Sequence, residues 1–143
     1  GDWWTPLVVR QAFLGARRFD EFQTGLGIPR NVLAERLRSL VDQGIFERRQ
    51  YSDRPPRHEY RLTEKGIGLF DVIVSMMRWG DQWLDWPEGP PIQLVDRETG
   101  EPVEPVLVDG RTGEPLDPRK LRPVSARRSR GATPAPSEPT PRR

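Results

Sequence analysis

Along the first 43 residues the apolar positions recur every three to four places, the spacing of helices that bury one face. Thr5 can cap a helix N-terminus, Pro6 suits a first turn because its missing amide needs no partner there, and Gly15 suits an end. Together they predict a helix over residues 6–14. The stretch "RFDEFQTGLGIPRNVLAERLRSLVDQG" predicts a second helix over 18–24, a tight turn through Gly25, Leu26 and Gly27, and a third helix over 29–43 stopped by Gly44. In the third helix Leu33, Leu37, Leu40 and Val41 share a stripe, with Val32 beside it. Asn31, Ala34, Glu35, Arg38 and Asp42 fall on the other side.

From residue 45 the period shortens to two. "IFERRQY" and "HEYRLT" read as paired strands, with Tyr60 and Leu62 pointing inward. Between them the loop 52–57 carries Pro55 and Pro56, which cannot donate ladder hydrogen bonds and are expected to stop the pairing and hold a stiff, open tip flanked by Arg54 and Arg57. Thr63 then caps a long helix over 64–86, ended by Pro87. Its band of Leu69, Phe70, Ile73, Met76, Met77, Trp83 and Leu84 is wider than one small fold covers. Trp79, Trp83 and Trp86 read as core or oligomer interface rather than as an aromatic ligand cage.

Composition removes whole classes of chemistry. With no cysteine among the 143 residues there is no disulfide, thiol nucleophile or thiolate metal ligand, which fits an intracellular protein. The lone His58 has no second histidine or paired nucleophile, and the carboxylates form no acid/base pattern, so neither an enzyme nor a cofactor is expected. No apolar run is long enough to span a bilayer. Charge is zoned: +1 over residues 1–86, −6 over 87–118 and +7 over 119–143. The organisation expected is therefore a globular body (1–86), an acidic appendage (87–122) and a basic tail (123–143) that lacks any apolar period and reads as disordered. Within the appendage "LVDRETGEPVEP" (94–105) and "LVDGRTGEPLDP" (107–118) agree at 8 of 12 positions, each a short strand entering a Gly-Pro turn. It offers neither Cys nor His for zinc, and only Ile92, Leu94, Val95, Val103, Val106, Leu107, Val108 and Leu116 to stabilise it. The plain alternative is a loose proline-rich linker.

Helix, helix–turn–helix and hairpin in that order make a mainly α fold with a small β-hairpin, the winged helix-turn-helix, followed here by a short β-hairpin repeat. The blocks "RRFDEF", "NVLAERLRSL", "GIFERR", "PPRHEYRLTEKG" and "RWGDQW", in this order, resemble the HxlR-type transcriptional regulators, relatives of the MarR group, over residues 1 to about 86. The resemblance implies a homodimeric, cytoplasmic, bacterial DNA-binding protein, more often a repressor than an activator. The helix 29–43 would read two major-groove half-sites through Arg30, Asn31, Ala34, Glu35 and Arg38. Arg54 and Arg57 of the wing would touch phosphates or the minor groove, and Leu69, Phe70, Ile73, Met76, Met77 and Trp83 would join two copies. The resemblance extends to some longer members, which end in paired Cys-containing turns forming a zinc-ribbon-like knuckle, and the appendage is similar without the cysteines. Two departures stand out: relatives commonly carry a dimerising helix before the "WW" block, and Pro29 cannot cap with its side chain. Arg36, beside the packed stripe, is expected in a structural ion pair, while Arg17 and Arg18 could meet phosphate or be surface charge. A small-molecule effector is left open. The near-balanced body also leaves open a protein-interaction module with weak or no DNA binding.

Overall fold

The computed structural model describes residues 4–125. The chain divides into two compact units, one ending at Pro105 and the other beginning at Val106. Helix α1 (Trp4–Phe13) starts two residues earlier than expected. Pro6 sits inside its first turn, where the amides have no intrahelical partner in any case. Helix α2 (Phe19–Leu26) runs through Gly25, which was expected in the turn. A Cβ there would lie 2.5 Å from the Gln11 side-chain amide, which donates to the Gly25 carbonyl, so the glycine leaves room for that side chain to lie across α2. The turn proper shrinks to Gly27, in the left-handed region at φ 64, with Ile28 and Pro29. Helix α3 (Arg30–Asp42) begins after Pro29, which makes no side-chain cap, and buries Leu33, Leu37 and Leu40.

Strands β1 (Phe46–Asp53) and β2 (Pro56–Leu62) pair antiparallel from Phe46 opposite Leu62 to Asp53 opposite Pro56. The open loop expected over 52–57 is therefore absent: Ser52 pairs with Arg57, and only Arg54 and Pro55 lie beyond the ladder. Pro56 is tolerated because it is the first residue of its strand, where a missing amide sacrifices least.

The helix expected over 64–86 is two helices, α4 (Glu64–Ile67) and α5 (Phe70–Trp83). Thr63 does cap, its Oγ accepting from the Gly66 amide at 3.1 Å. Gly66 and Gly68, close together, weaken a helix interior, and the helix is interrupted at Gly68 and Leu69. The C-terminal end falls at Trp83 rather than beside Pro87. Leu84 is already extended, and the Trp86 indole N–H folds back to donate to the Gly80 carbonyl at 3.1 Å.

The core unites Val8, Val9 and Ala12 of α1, Phe22 of α2, the three leucines of α3, Ile45 and Phe46, and Ile73 of α5. At its centre Phe22, Phe46 and Tyr60 pack edge to face, with centroids 5.8 to 6.5 Å apart. A second edge-to-face pair, Phe13 with Phe70 at 5.4 Å, ties α5 to α1.

Each appendage repeat is one tight turn closed by a single bridge, Val95 to Pro102 in the first unit and Val108 to Pro115 in the second. In the first, Asp96 Oδ1 accepts from the Glu98 and Thr99 amides and Thr99 Oγ from the Glu101 amide. In the second, Asp109 Oδ1 accepts from the Arg111 amide and Thr112 Oγ from the Glu114 amide. The Thr99 and Glu98 amides hold the Asp96 carboxyl below the usual carboxylate range. Leu94 and Val103 of the first turn share a cleft of about 830 Å³ with Val74 and Met77 of α5. The basic tail beyond Ser125 lies outside the described residues.

Gly66 is the glycine on which this frame tolerates least change, because a Cβ there would lie 2.2 Å from the Ile45 carbonyl oxygen, a backbone atom. Gly66→Ala is expected to lower unfolding free energy by about 1–3 kcal/mol. Gly80→Ala, whose Cβ would meet only Leu84 at 3.6 Å, should be neutral or slightly stabilising. Urea titration of the two variants checks the contrast.

Candidate nucleic-acid interface

Because Leu33, Leu37 and Leu40 are fully buried, the opposite face of α3 is turned to solvent. Arg30, Asn31, Glu35 and Arg38 are all exposed on it, and Ala34 between them is half-buried. Helix geometry thus brings the five expected α3 residues onto one face. The Arg30 guanidinium stands over the Phe19 ring, 4.6 Å from its centroid, so the first residue of α2 orients the first residue of α3.

The hairpin presents alternating charge. Glu47 meets Arg49 along β1, and Glu59 accepts from Arg61 Nε at 2.9 Å along β2. These two strands place Glu47 opposite Arg61 and Arg49 opposite Glu59. Such exposed pairs neutralise one another and contribute little stability. On the alternate positions Arg48 donates to His58 Nδ1 at 3.1 Å, which makes His58 part of the wing's own bonding. Arg54 and Arg57 remain exposed, Arg54 at the tip and Arg57 one residue inside β2. The fold separates Arg17 from Arg18. Arg17 is structural: its guanidinium donates to the Ala12 and Ala16 carbonyls at 2.8 and 2.9 Å, and its own carbonyl accepts from the Tyr60 amide at 2.6 Å. Arg18 lies over the ring of Tyr51, 4.9 Å from the centroid. Neither Tyr51 nor Phe19 was expected to matter, since a residue's place in a bulge or beside a cation leaves no mark on local spacing.

Of the expected oligomer contacts, Ile73 belongs to the core, Leu69 and Met77 are half-buried, and Phe70, Met76 and Trp83 are exposed. Trp79, expected in core or interface, and Val72, not foreseen, extend the exposed set, giving an apolar stripe of Val72, Met76, Trp79 and Trp83 along α5, with Trp83 67% exposed. Spacings of four, three and four residues put these side chains on one helical face. Among the described residues no three His, Cys, Asp or Glu side chains gather as metal ligands, and no helix is long and apolar enough to cross a membrane.

The HxlR-like helix-turn-helix family matches residues 1–88 of the chain. The chain belongs to that family. A helix-turn-helix transcriptional regulator of Mycobacterium tuberculosis is 53% identical over 107 residues, 75% of this chain and 68% of the relative. The crystal structure of PA1607, a candidate transcription factor, superposes with a TM-score of 0.76 at 40% identity, covering 89% of this chain and 88% of the other. PA1374 of Pseudomonas aeruginosa, also a candidate transcription factor, gives a TM-score of 0.62 at 36% identity, covering 90% and 89%. Both matches extend well past residue 88, into the repeat turns. The HxlR-like chain is accordingly a DNA-binding transcriptional regulator and not an enzyme.

The start of its helix-turn-helix rests on Glu21, whose carboxylate accepts from the Arg18 amide at 2.9 Å and the Arg17 amide at 2.8 Å. Those two bonds, the Arg18 amide's first, hold its carboxyl below its ordinary value. A depressed native pKa stabilises the fold above the unfolded-state value and ceases to do so as pH falls through the native one. Glu21→Gln should therefore melt lower than wild type at neutral pH. The gap should narrow as acid titrates the group, which melting curves between pH 7 and pH 3 would reveal.

Proposed function

We propose that the protein binds DNA as a homodimer and that its output is repression. In this reading each α3 enters a major-groove half-site, with Arg30, Asn31, Ala34, Glu35 and Arg38 at the base edges. Arg54 and Arg57 bear on phosphates or the minor groove. The observation that carries it is the exposed α3 face: two arginines, an amide and a carboxylate, the side chains that pair with guanine, adenine and cytosine edges, stand opposite a fully buried leucine stripe. A second copy is favoured by the α5 stripe, because aromatic side chains this exposed on a small protein ordinarily mark a contact surface. Docking of two copies would set the recognition helices one DNA turn apart, roughly 34–36 Å, or a multiple of it.

Two measurements test this. Duplexes enriched from a random library by the protein would serve as probe. Arg38→Ala should cost about 1–3 kcal/mol and relax preference at one base pair. Arg54→Ala and Arg57→Ala should instead weaken all sequences alike and lower the magnitude of the salt slope by about 0.9 per lost contact. Unchanged affinity in the two wing variants would refute the wing assignment, and failure to enrich any duplex would favour a protein-interaction module. For assembly, Met76→Glu with Trp83→Glu, both at exposed positions, should convert a dimer to a monomer in sedimentation. A dimer that survives the pair means that copies meet elsewhere.

A further inference from the structure

The hairpin is attached to the helices at two heights. At its base the Tyr60 amide donates to the Arg17 carbonyl at 2.6 Å, and the Tyr60 ring packs on Phe22 and Phe46. Farther out the ladder skips a residue: Gln50 faces His58 and Ser52 faces Arg57, leaving Tyr51 unpaired. A bulge of this kind re-aims the side chain of the extra residue and increases local twist. Here the re-aimed ring comes beneath the Arg18 guanidinium, 4.9 Å away. The backbone that carries Arg18 is anchored, since its amide and that of Arg17 both donate to Glu21. Tyr60 lies opposite Arg48, so Tyr51 touches the helices three residues nearer the tip, or about 10 Å at 3.3 Å per residue.

We propose that Arg18 and Tyr51 form a brace that sets the angle of the wing against the helix-turn-helix, so that Arg54 and Arg57 reach the DNA backbone while α3 occupies the groove. This rests on the wing assignment proposed above. Tyr51 is then a positioning residue, acting on DNA only through the two arginines. A contact at the base alone leaves the tip free to swing about that point, and a displacement of about 1 Å takes a charged hydrogen bond out of range. The second contact removes that freedom before binding, when ordering the wing would otherwise oppose association. Its location in a bulge, on the strand that leads to Arg54, explains why an exposed tyrosine is aimed at an arginine of another element.

The test exploits the fact that Tyr51 carries no charge. Full-length Tyr51→Phe, Tyr51→Leu and Arg18→Gln are prepared, each also combined with Arg54→Ala and Arg57→Ala. Affinity for a duplex enriched by the wild-type protein is followed against salt concentration. Tyr51→Leu should bind several-fold more weakly and lose about 0.9 of salt slope for each tip arginine that no longer reaches phosphate. Tyr51→Phe keeps the ring face and should match wild type. On the background lacking the tip arginines, Tyr51→Leu and Arg18→Gln should have no further effect on slope beyond any change Arg18→Gln makes through its own charge. If the tip variant loses slope and a Tyr51→Leu protein of wild-type melting temperature does not, the brace is wrong and the wing assignment stands. If neither loses slope, both are wrong. Equal loss from Tyr51→Leu on the two backgrounds also overturns the brace.

Discussion

The edge-to-face cluster of Phe22, Phe46 and Tyr60 is the contact on which the DNA-binding arrangement depends. These rings come from α2, β1 and β2, so the same packing that closes the core also sets the hairpin against the helix-turn-helix. Phe22 and Phe46 are fully buried, and burying each contributes about 1.5–3 kcal/mol. Edge-to-face geometry adds about 0.5–1.5 kcal/mol per pair and, unlike plain burial, favours particular orientations. The base of the hairpin is thus positioned by core formation itself.

Arginine does two different jobs in this protein. Arg17 is consumed by the Ala12 and Ala16 carbonyls, and Arg49 and Arg61 by glutamates on their own strands. Arg30 and Arg18 are held over aromatic rings, a contact that leaves the guanidinium edges and their donors available. Discounting the two strand pairs leaves the body's net charge at +1, so what a polyanion would meet depends on where the remaining arginines stand rather than on their excess. A protein organised in this way draws discrimination from placed donors more than from a large nonspecific field.

Much of this was legible in the chain. The leucine spacing of α3 dictated which face is free, and Thr63, Gly15 and Gly44 marked element ends that the fold respects. What spacing missed has a common cause: it depends on contacts between distant segments. Gly25 reads as a turn residue, yet it answers to Gln11, fourteen positions earlier. Pro55 and Pro56 read as an open loop, yet a strand that begins on proline keeps its pairing. Gly66 is shaped by the Ile45 carbonyl, and the end of α5 by an indole that folds back. For the candidate interface, periodicity placed Asn31, Ala34, Glu35 and Arg38 on the free face, while Arg30 and the base-reading role came from the family resemblance. The aromatic partners of Arg18 and Arg30 did not, because a bulge at Tyr51 is set by register.

The repeat turns carry a different implication. Each closes its own backbone within about ten residues, using an Asp carboxylate, a Thr hydroxyl and one strand bridge. Such a loop closes at small entropic cost, and its hydrogen bonds are local. The turn is in this sense a cassette: a thirteen-residue unit whose hydrogen bonds close within itself can recur along a chain, as residues 94–105 and 107–118 do, without its neighbours having to supply bonds to it.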